Sequence, residues 1–527
     1  MKKRVLSVLL VLSMCFALFE GCVERKPELS IVEDNYRNYY EIFVGSFYDS
    51  DGDGMGDLNG VTRKLDYIQE MGFNGIWLMP IMPSPTYHKY DVTDYMDVDP
   101  AYGTVDDFKT LMEECHKRDI RLIIDMVMNH SSSSHPWFTE ACTYLRNLPE
   151  GQEADESECP YVGYYHFSQE KVDSTYYAVR GTNWWYEGSF WSEMPDLNLN
   201  NAALREEFQQ IADFWLDLGV DGFRMDAAMH YEENDIAGNN QDLNWIYNYC
   251  KEQNPDFYMV SEVWANEQTI ADYYGSGTPS MFNFDAGSAE GKIIQAARSG
   301  KVTSLVQAML TYQEDFSKEN PEYIDAPFLT NHDMGRVANA LMSDEDKLKM
   351  AAGLLMMMNG SPFVYYGEEI GMKSAGTKDE NKRIPMFWSA TDSTGMTDGP
   401  QGMDAGIESS LPPLDEQMKD ETSLLNYYKR ALRLRNENPE IARGTVQAID
   451  SLCVGSMAAI TKSYNGSTIG IIYNIGEEET TFSLDQTELS GMKIQGYLTL
   501  NNEKVVLSDD ELIMPARSIC IVKSVKK

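Results

Sequence analysis

The sequence predicts an α/β protein built on a (β/α)8 barrel, with a small domain inserted after the third strand and an antiparallel β-sandwich at the C-terminus. Three observations lead there. Short apolar runs alternate with amphipathic helical patterns over most of the chain, one long aromatic and polar interval breaks that rhythm, and near the C-terminus the pattern changes to period two. At 527 residues the chain is also too long for one ordinary core, so more than one domain is expected.

Eight apolar runs are candidate strands: Tyr40–Phe47, Gly75–Met79, Leu122–Val127, Gly219–Met225, Phe257–Glu262, Met281–Asp285, Pro327–Asn331 and Pro362–Tyr366. Helical patterns such as Val105–Lys117, Ala203–Leu218 and Asp344–Met358 lie between them. Open doubly wound sheets share this alternation, whereas a barrel gathers the C-terminal ends of all its strands around one mouth. About seventy residues separate the third strand from the helix near Ala203, more than an ordinary βα loop. This stretch is rich in Tyr, Trp, Gly and Ser, with an acidic patch at Glu150–Glu158. After a Gly/Pro/Asp-rich loop, Ser389–Thr422, and a last helix, Ser423–Asn438, alternating runs at Ser456–Tyr464, Thr468–Tyr473 and Tyr497–Leu500 predict an all-β tail. The expected organisation is a signal segment over 1–22, a linker over 23–38, the barrel over 39–130 and 199–440, the insertion over 131–198 and the tail over 441–527.

The N-terminus reads as a targeting signal. Lys2, Lys3 and Arg4 precede the apolar stretch Val5–Phe19, which ends at Gly21-Cys22 and a polar run. This resembles a bacterial lipoprotein signal, so Cys22 is the expected lipid attachment point and the protein is expected outside the cell, held at the membrane by that anchor; an uncleaved anchor or an ordinary signal peptide is the alternative. No later stretch is long and apolar enough to span a bilayer. Eight cysteines occur, of which Cys142 with Cys159 and Cys453 with Cys520 could pair within one domain; buried free thiols are the other reading.

Charge narrows the partners. With 83 Asp plus Glu against 43 Lys plus Arg the net charge is −40, which repels nucleic acid and anionic lipid headgroups. A neutral sugar polymer meets no such penalty, and a monomer is expected.

The segments that carry chemistry all fall at predicted strand ends. The third strand leads into Asp125-Met126-Val127-Met128-Asn129-His130, the fourth into Arg224-Met225-Asp226, the fifth into Ser261-Glu262-Val263-Trp264 and the seventh into Asn331-His332-Asp333. The carboxylates Asp226, Glu262 and Asp333, two histidines and one arginine therefore converge on the mouth of a barrel. That set suits glycoside cleavage, which needs one carboxylate nucleophile and one carboxylic acid, about 5–5.5 Å apart in a retaining enzyme. Asp226 and Glu262, on adjacent strands, are the natural pair. Neighbouring anions would keep the acid protonated, and Arg224, two residues before Asp226 on the same strand face, would keep the nucleophile ionised.

These four segments resemble the signature regions of the α-amylase superfamily, glycoside hydrolase family 13. Met194-Pro195-Asp196-Leu197-Asn198 resembles its fifth region, in the form intermediate between α-amylases and oligo-1,6-glucosidases, and Gly360–Glu369 resembles its eighth-strand region. The resemblance covers Tyr39 to about Gly444. It implies Asp226 as nucleophile, Glu262 as general acid/base and Asp333 as transition-state stabiliser. Arg224, His130 and His332 would hold the sugar at the cleavage point, with Tyr90 stacking beneath it. Where α-amylases carry Lys-His this chain has Met229-His230, which puts aglycone contacts at His230 in question. Asp91 and Arg383 resemble the pair that grips the non-reducing end in exo-acting α-glucosidases of the family. The expected substrate is an α-1,4-glucan such as starch, glycogen or a malto-oligosaccharide. An exo-acting α-glucosidase, a transglycosylase and a non-catalytic glucan-binding protein are the alternatives.

A second motif reads as a metal loop. Asp49, Asp51, Asp53 and Asp57 occupy positions 1, 3, 5 and 9 of an EF-hand-like pattern, with the Met55 carbonyl at 7 and Gly54 permitting the turn at 6. Position 12 is Gly60 rather than Glu. Similar loops in the family hold structural Ca²⁺, the one cofactor expected here.

Overall fold

In the computed structural model, which describes residues 34–524 apart from 150 and 408, seven parallel strands form one continuous sheet. They are β1 (Tyr39–Ile42), β2 (Gly75–Leu78), β3 (Arg121–Met126), β4 (Gly222–Met225), β5 (Tyr258–Ser261), β6 (Ser280–Met281) and β7 (Phe363–Tyr365), in the spatial order β7–β1–β2–β3–β4–β5–β6. The ring closes through a seventh stave that is not a full strand. Single parallel bridges, Phe282 to Ala326 and Phe328 to Phe363, join β6 to β7. The expected strand Pro327–Asn331 is thus reduced to two contacts, because Pro327 has no N–H to give to a ladder. β1 is also shorter than expected: after Ile42 the chain enters a tight turn at Val44–Ser46, where the Gly45 carbonyl accepts from the Gly56 N–H at 2.9 Å.

The strands are buried on both faces, as their near-continuous apolar sequences require of a parallel sheet wrapped by helices. One outer helix illustrates the packing. Asn201 caps Ala202–Asp217 by accepting from two backbone N–H groups, and Leu204, Phe208, Ile211, Ala212 and Trp215 form its buried stripe.

Between β3 and β4 the chain builds a helix, Pro136–Asn147, and a three-stranded antiparallel sheet from Phe167–Ser168, Trp185–Glu187 and Tyr176–Ala178. Its two ends are zipped together by antiparallel bridges from His130 to Asp196 and from Tyr165 to Leu197. This closure fixes His130 at the barrel mouth.

The tail is an antiparallel sandwich. Five strands, β8 (Thr445–Ala448), β9 (Met457–Tyr464), β10 (Ser467–Asn474), β12 (Lys493–Leu498) and β15 (Ser518–Lys523), face three shorter ones, β11 (Thr480–Ser483), β13 (Val506–Ser508) and β14 (Glu511–Met514). Period-two alternation serves two cores at once. Ile460, Ile471 and Ile519 join the main core that runs through the barrel, while Ala459, Ile472 and Cys520 join Phe482, Leu512 and Met514 between the sheets. The six cysteines of the described residues are all free thiols. Cys453 and Cys520 do not pair, since Cys453 packs against the main core and Cys520 sits in the other. Cys142 and Cys159 are also unpaired, and Cys22 lies outside the described residues. Among the described residues no helix is long and apolar enough to cross a membrane.

Two buried cations, Arg435 from the last barrel helix and Lys462 from the tail, meet the end of the helix Glu345–Met356, whose last carbonyls have no partner within the helix. Arg435 donates to the carbonyls of Met356, Met358 and Gly360 at 2.6–2.8 Å. Lys462, from β9, donates to the Met357 and Ile441 carbonyls and to Asn359 Oδ1 at 2.7–2.8 Å. Removing one partner strands buried acceptors, so Lys462→Met is expected to lower stability by about 3 kcal/mol, measured by denaturant melts; a change near zero would show that water replaces the ammonium there.

Candidate active site

β3, β4 and β5 lie side by side, and Asp125 stands opposite Arg224 in the parallel register. Arg224 and Asp226 are two residues apart and share a strand face. The result is one fully buried guanidinium serving three carboxyls. Arg224 Nη1 is 2.5 Å from Asp125 Oδ1 and 2.5 Å from Asp226 Oδ1, and Nη2 is 3.2 Å from Glu262 Oε2. Glu262 Oε2 also accepts the Ala227 N–H at 3.0 Å, and Asp125 Oδ2 accepts the Trp77 indole N–H at 2.8 Å. Ala227 holds φ at +46°, a conformation unusual for a residue with a Cβ, and that turn aims its N–H at Glu262.

Asp333 is pinned from the opposite wall. Arg383 Nη2 reaches Asp333 Oδ1 at 2.8 Å, and His332 Nε2 lies 2.9 Å from Asp333 Oδ2. The Tyr90 hydroxyl is 2.8 Å from the same imidazole nitrogen, and His332 Nδ1 is 2.6 Å from Glu41 Oε1.

Electrostatics follow from this geometry. Burial pushes the Glu262 carboxyl up; Arg224 opposes this, and the neighbouring Asp226 and Asp333 add to it. Burial likewise raises Asp125 to about 7 and raises Asp226, with Arg224 pulling both back. Burial opposes ionisation at Asp333 too, but His332 and Arg383 outweigh it and hold that carboxyl well below the usual range; its side chain is 31% exposed. His130 is pushed down to about 4 by burial and is a neutral imidazole, with Nε2 buried and unpartnered.

A cavity of about 320 Å³ opens at this mouth, lined by Tyr90, His130, Asp226, Glu262, Asp333 and Arg383 among others. Arg224 and His332 stand behind its wall. Two expected substrate contacts lie off it. Asp91 is buried, with Oδ1 accepting from the Ser84 and Thr86 hydroxyls, and makes no ion pair with Arg383, whose charge goes to Asp333 instead. His230 is partly exposed, bonds Glu233 at 2.7 Å and meets the Phe190 ring edge-on. Three lining residues, His88, Phe190 and Asp379, lie outside the segments singled out in the sequence, and Trp264 stands in one of them without an assigned role. His88 Nδ1 accepts the Tyr90 N–H at 3.1 Å, which puts its own proton on Nε2. The signal was available in its position two residues before Tyr90. For the half-exposed Phe190 and Trp264 no sequence signal separated them from packing aromatics.

The acidic loop after β1 converges in part. Carboxylate oxygens of Asp49, Asp51 and Asp57 lie within 4.8 Å of one another. Asp53 falls outside this group; its exposed carboxylate accepts the Met55 N–H at 2.7 Å. The absent twelfth ligand has a steric cause. A Cβ on Gly60 would come within 1.9 Å of the Tyr48 carbonyl oxygen, and Asp57 instead caps the helix Leu58–Arg63 by accepting the Gly60 N–H at 2.7 Å. Burial raises the Asp49 carboxyl, yet the backbone N–H groups of Gly52 and Gly54 outweigh it and keep it anionic. An all-oxygen, three-carboxylate set suits a hard divalent cation.

Comparison with known proteins agrees with this arrangement. A family model described as the α-amylase catalytic domain matches residues 41–444. Alpha-amylase 3 of Dictyoglomus thermophilum is 38% identical over 500 residues, covering 93% of each chain. The solved structure of Eubacterium rectale Amy13B superposes with a TM-score of 0.91 at 44% identity, covering 95% of this chain and 98% of that one. An α-amylase from H. orenii gives a TM-score of 0.81 at 34% identity, covering 93% and 100%. A glucan 1,6-α-glucosidase and a trehalose synthase/amylase also match, at 26% and 30% identity.

Proposed function

The chain belongs to the α-amylase family of glycoside hydrolases, and on that premise we propose that it is a secreted α-amylase that hydrolyses α-1,4-glucosidic bonds of starch, glycogen or malto-oligosaccharides with retention of configuration. The observation that carries this reading is the single Arg224 guanidinium shared by Asp226 and Glu262, which keeps the two carboxyls close, as a retaining pair requires.

In the first step the Asp226 carboxylate attacks the anomeric carbon while Glu262 gives its proton to the departing glycosidic oxygen. The glycosidic C–O bond breaks and a glycosyl ester of Asp226 forms. In the second, the Glu262 carboxylate takes a proton from water, whose oxygen displaces Asp226 and restores both groups. Asp333, kept anionic by its two cations, faces the oxocarbenium-like charge that develops between these states. The neutral, unpartnered Nε2 of His130 is free for a sugar hydroxyl, and Tyr90 offers a ring face. Net burial raises Asp226, so Arg224 is needed to keep the nucleophile ionised once the sugar excludes water.

Attack within the polymer is favoured because Arg383 is committed to Asp333 and Asp91 to two hydroxyls, so the pair that would close the end of the cleft is not formed. A malto-oligosaccharide blocked at its non-reducing end is expected to be cleaved, with turnover in Asp226→Asn falling by roughly a thousandfold or more. Shortening of the unblocked sugar alone would identify an exo-acting α-glucosidase instead.

The loop of Asp49, Asp51 and Asp57 supports a structural Ca²⁺ in this chain. Calorimetry is expected to give a higher Tm in calcium than in chelator, and Asp51→Ala should abolish the difference; equal melting in both conditions would rule the ion out as a stabiliser. Export with a lipid anchor rests on the N-terminal segment ending at Cys22. Cys22→Ser is expected to move the protein from the membrane fraction to the soluble one, and unchanged fractionation would exclude that anchor.

A further inference from the structure

Glu41 takes no part in the bond-making and bond-breaking steps, yet it is the one charged residue of β1 and is 1% exposed. It stands between Trp77 of β2 and Tyr365 of β7 in the parallel registers. Among the described residues its carboxylate meets one hydrogen-bonding side chain, His332, at 2.6 Å, and no Lys or Arg lies within ion-pair distance. A buried carboxylate with so little compensation is costly unless the imidazole beside it carries a charge.

His332 is itself fully buried, with a carboxylate at each ring nitrogen: Glu41 2.6 Å from Nδ1 and Asp333 2.9 Å from Nε2. A neutral imidazole has one N–H and would turn a lone pair towards one of these anions. The imidazolium has an N–H for each. We propose that Glu41 is a positioning residue of the glycosidase reaction, holding His332 as an imidazolium so that its Nε2–H fixes Asp333 against the sugar. This rests on the glycosidase reading of the site.

The other groups facing His332 fit that role. Arg383 reaches the His332 carbonyl at 3.4 Å and the far oxygen of Asp333, so it orients Asp333 without neutralising Glu41. The Tyr90 hydroxyl, 2.8 Å from Nε2, can accept a share of the same proton, and Trp77 meets the ring edge-on. Farther out, the charges of Asp125 and Asp226 are offset by Arg224. Burial alone would push His332 down, but Asp333 and Glu41 outweigh it and raise it to about 9. The charge is therefore present below that pH and lost above it.

The test reads the imidazole directly and then the rate. The chain has seven histidines, few enough for ¹⁵N NMR with assignment of the His332 signal by its loss in His332→Gln. In the wild-type protein both ring nitrogens of His332 are expected to be protonated at pH 7, and in Glu41→Gln one is expected to be deprotonated. In the kinetics, Glu41→Gln should move the alkaline limb of kcat/KM acidward by about two pH units or more, a roughly hundredfold loss on that limb, with the deficit narrowing as the pH falls. A neutral His332 in the wild-type protein at pH 7 would overturn the proposal, as would an unmoved limb or an equal loss at every pH. The NMR arm needs no turnover, so absence of glucan cleavage by the wild-type protein would overturn the glycosidase reading and leave the charge of His332 separately measured.

Discussion

The arrangement at the barrel mouth depends on a single buried positive charge. Among the described residues Arg224 is the only cation in direct contact with Asp125, Asp226 and Glu262, and one guanidinium cannot neutralise three carboxylates. Adding Asp333, Glu41, Arg383 and His332 gives five carboxyl groups around three cations. Such a cluster must retain protons near neutrality. Burial and crowding by anions favour the protonated form of Glu262, while the two cations on Asp333 favour its anion. Acid and anion are thus distinguished by what each carboxyl touches rather than by residue type. The adjacency of β3, β4 and β5 is what allows one side chain to reach all three partners.

Much of this was legible in the sequence because a charged residue at the end of an apolar run is costly to bury unless the fold gathers it with partners. Asp125, Arg224, Asp226, Glu262, His332 and Asp333 converge as their strand-end positions implied. What failed did so for local reasons. The run Pro327–Asn331 has the composition of a strand but carries a proline where a ladder needs a donor. Asp91 and Arg383 can be aligned with a known pair, yet which acid an arginine meets depends on the loops after β2 and β7, and Asp333 is nearer. Asp53 matches a ligand pattern but its side chain turns to its own loop. Glu41 was overlooked although a lone acid in an apolar strand is a signal in itself. His88 was eclipsed by its neighbour Tyr90.

Integrity of the mouth is also secured from below and from the side. The tail sheet sends one face into the barrel's own core, and Lys462 and Arg435 bind the carbonyls that end the helix before β7. These contacts fix the strand whose partner on one side is β1, the strand of Glu41. The insertion, zipped by the His130–Asp196 bridge, places Phe190 at the cleft, with Trp137 packed against Tyr95 and Phe208 of the barrel.

The incomplete seventh stave divides the mouth into two walls of unequal stiffness. On one side Asp226 and Glu262 grow from strands laddered to neighbours on both edges. On the other, Asp333 follows a segment joined to the sheet by isolated bridges, so its place is set by His332 and Arg383 more than by backbone. Local opening is easiest where ladder bonds are fewest. Opening of the mouth is therefore expected on the Asp333 wall, with Asp226 and Glu262 held in register with each other by their ladders.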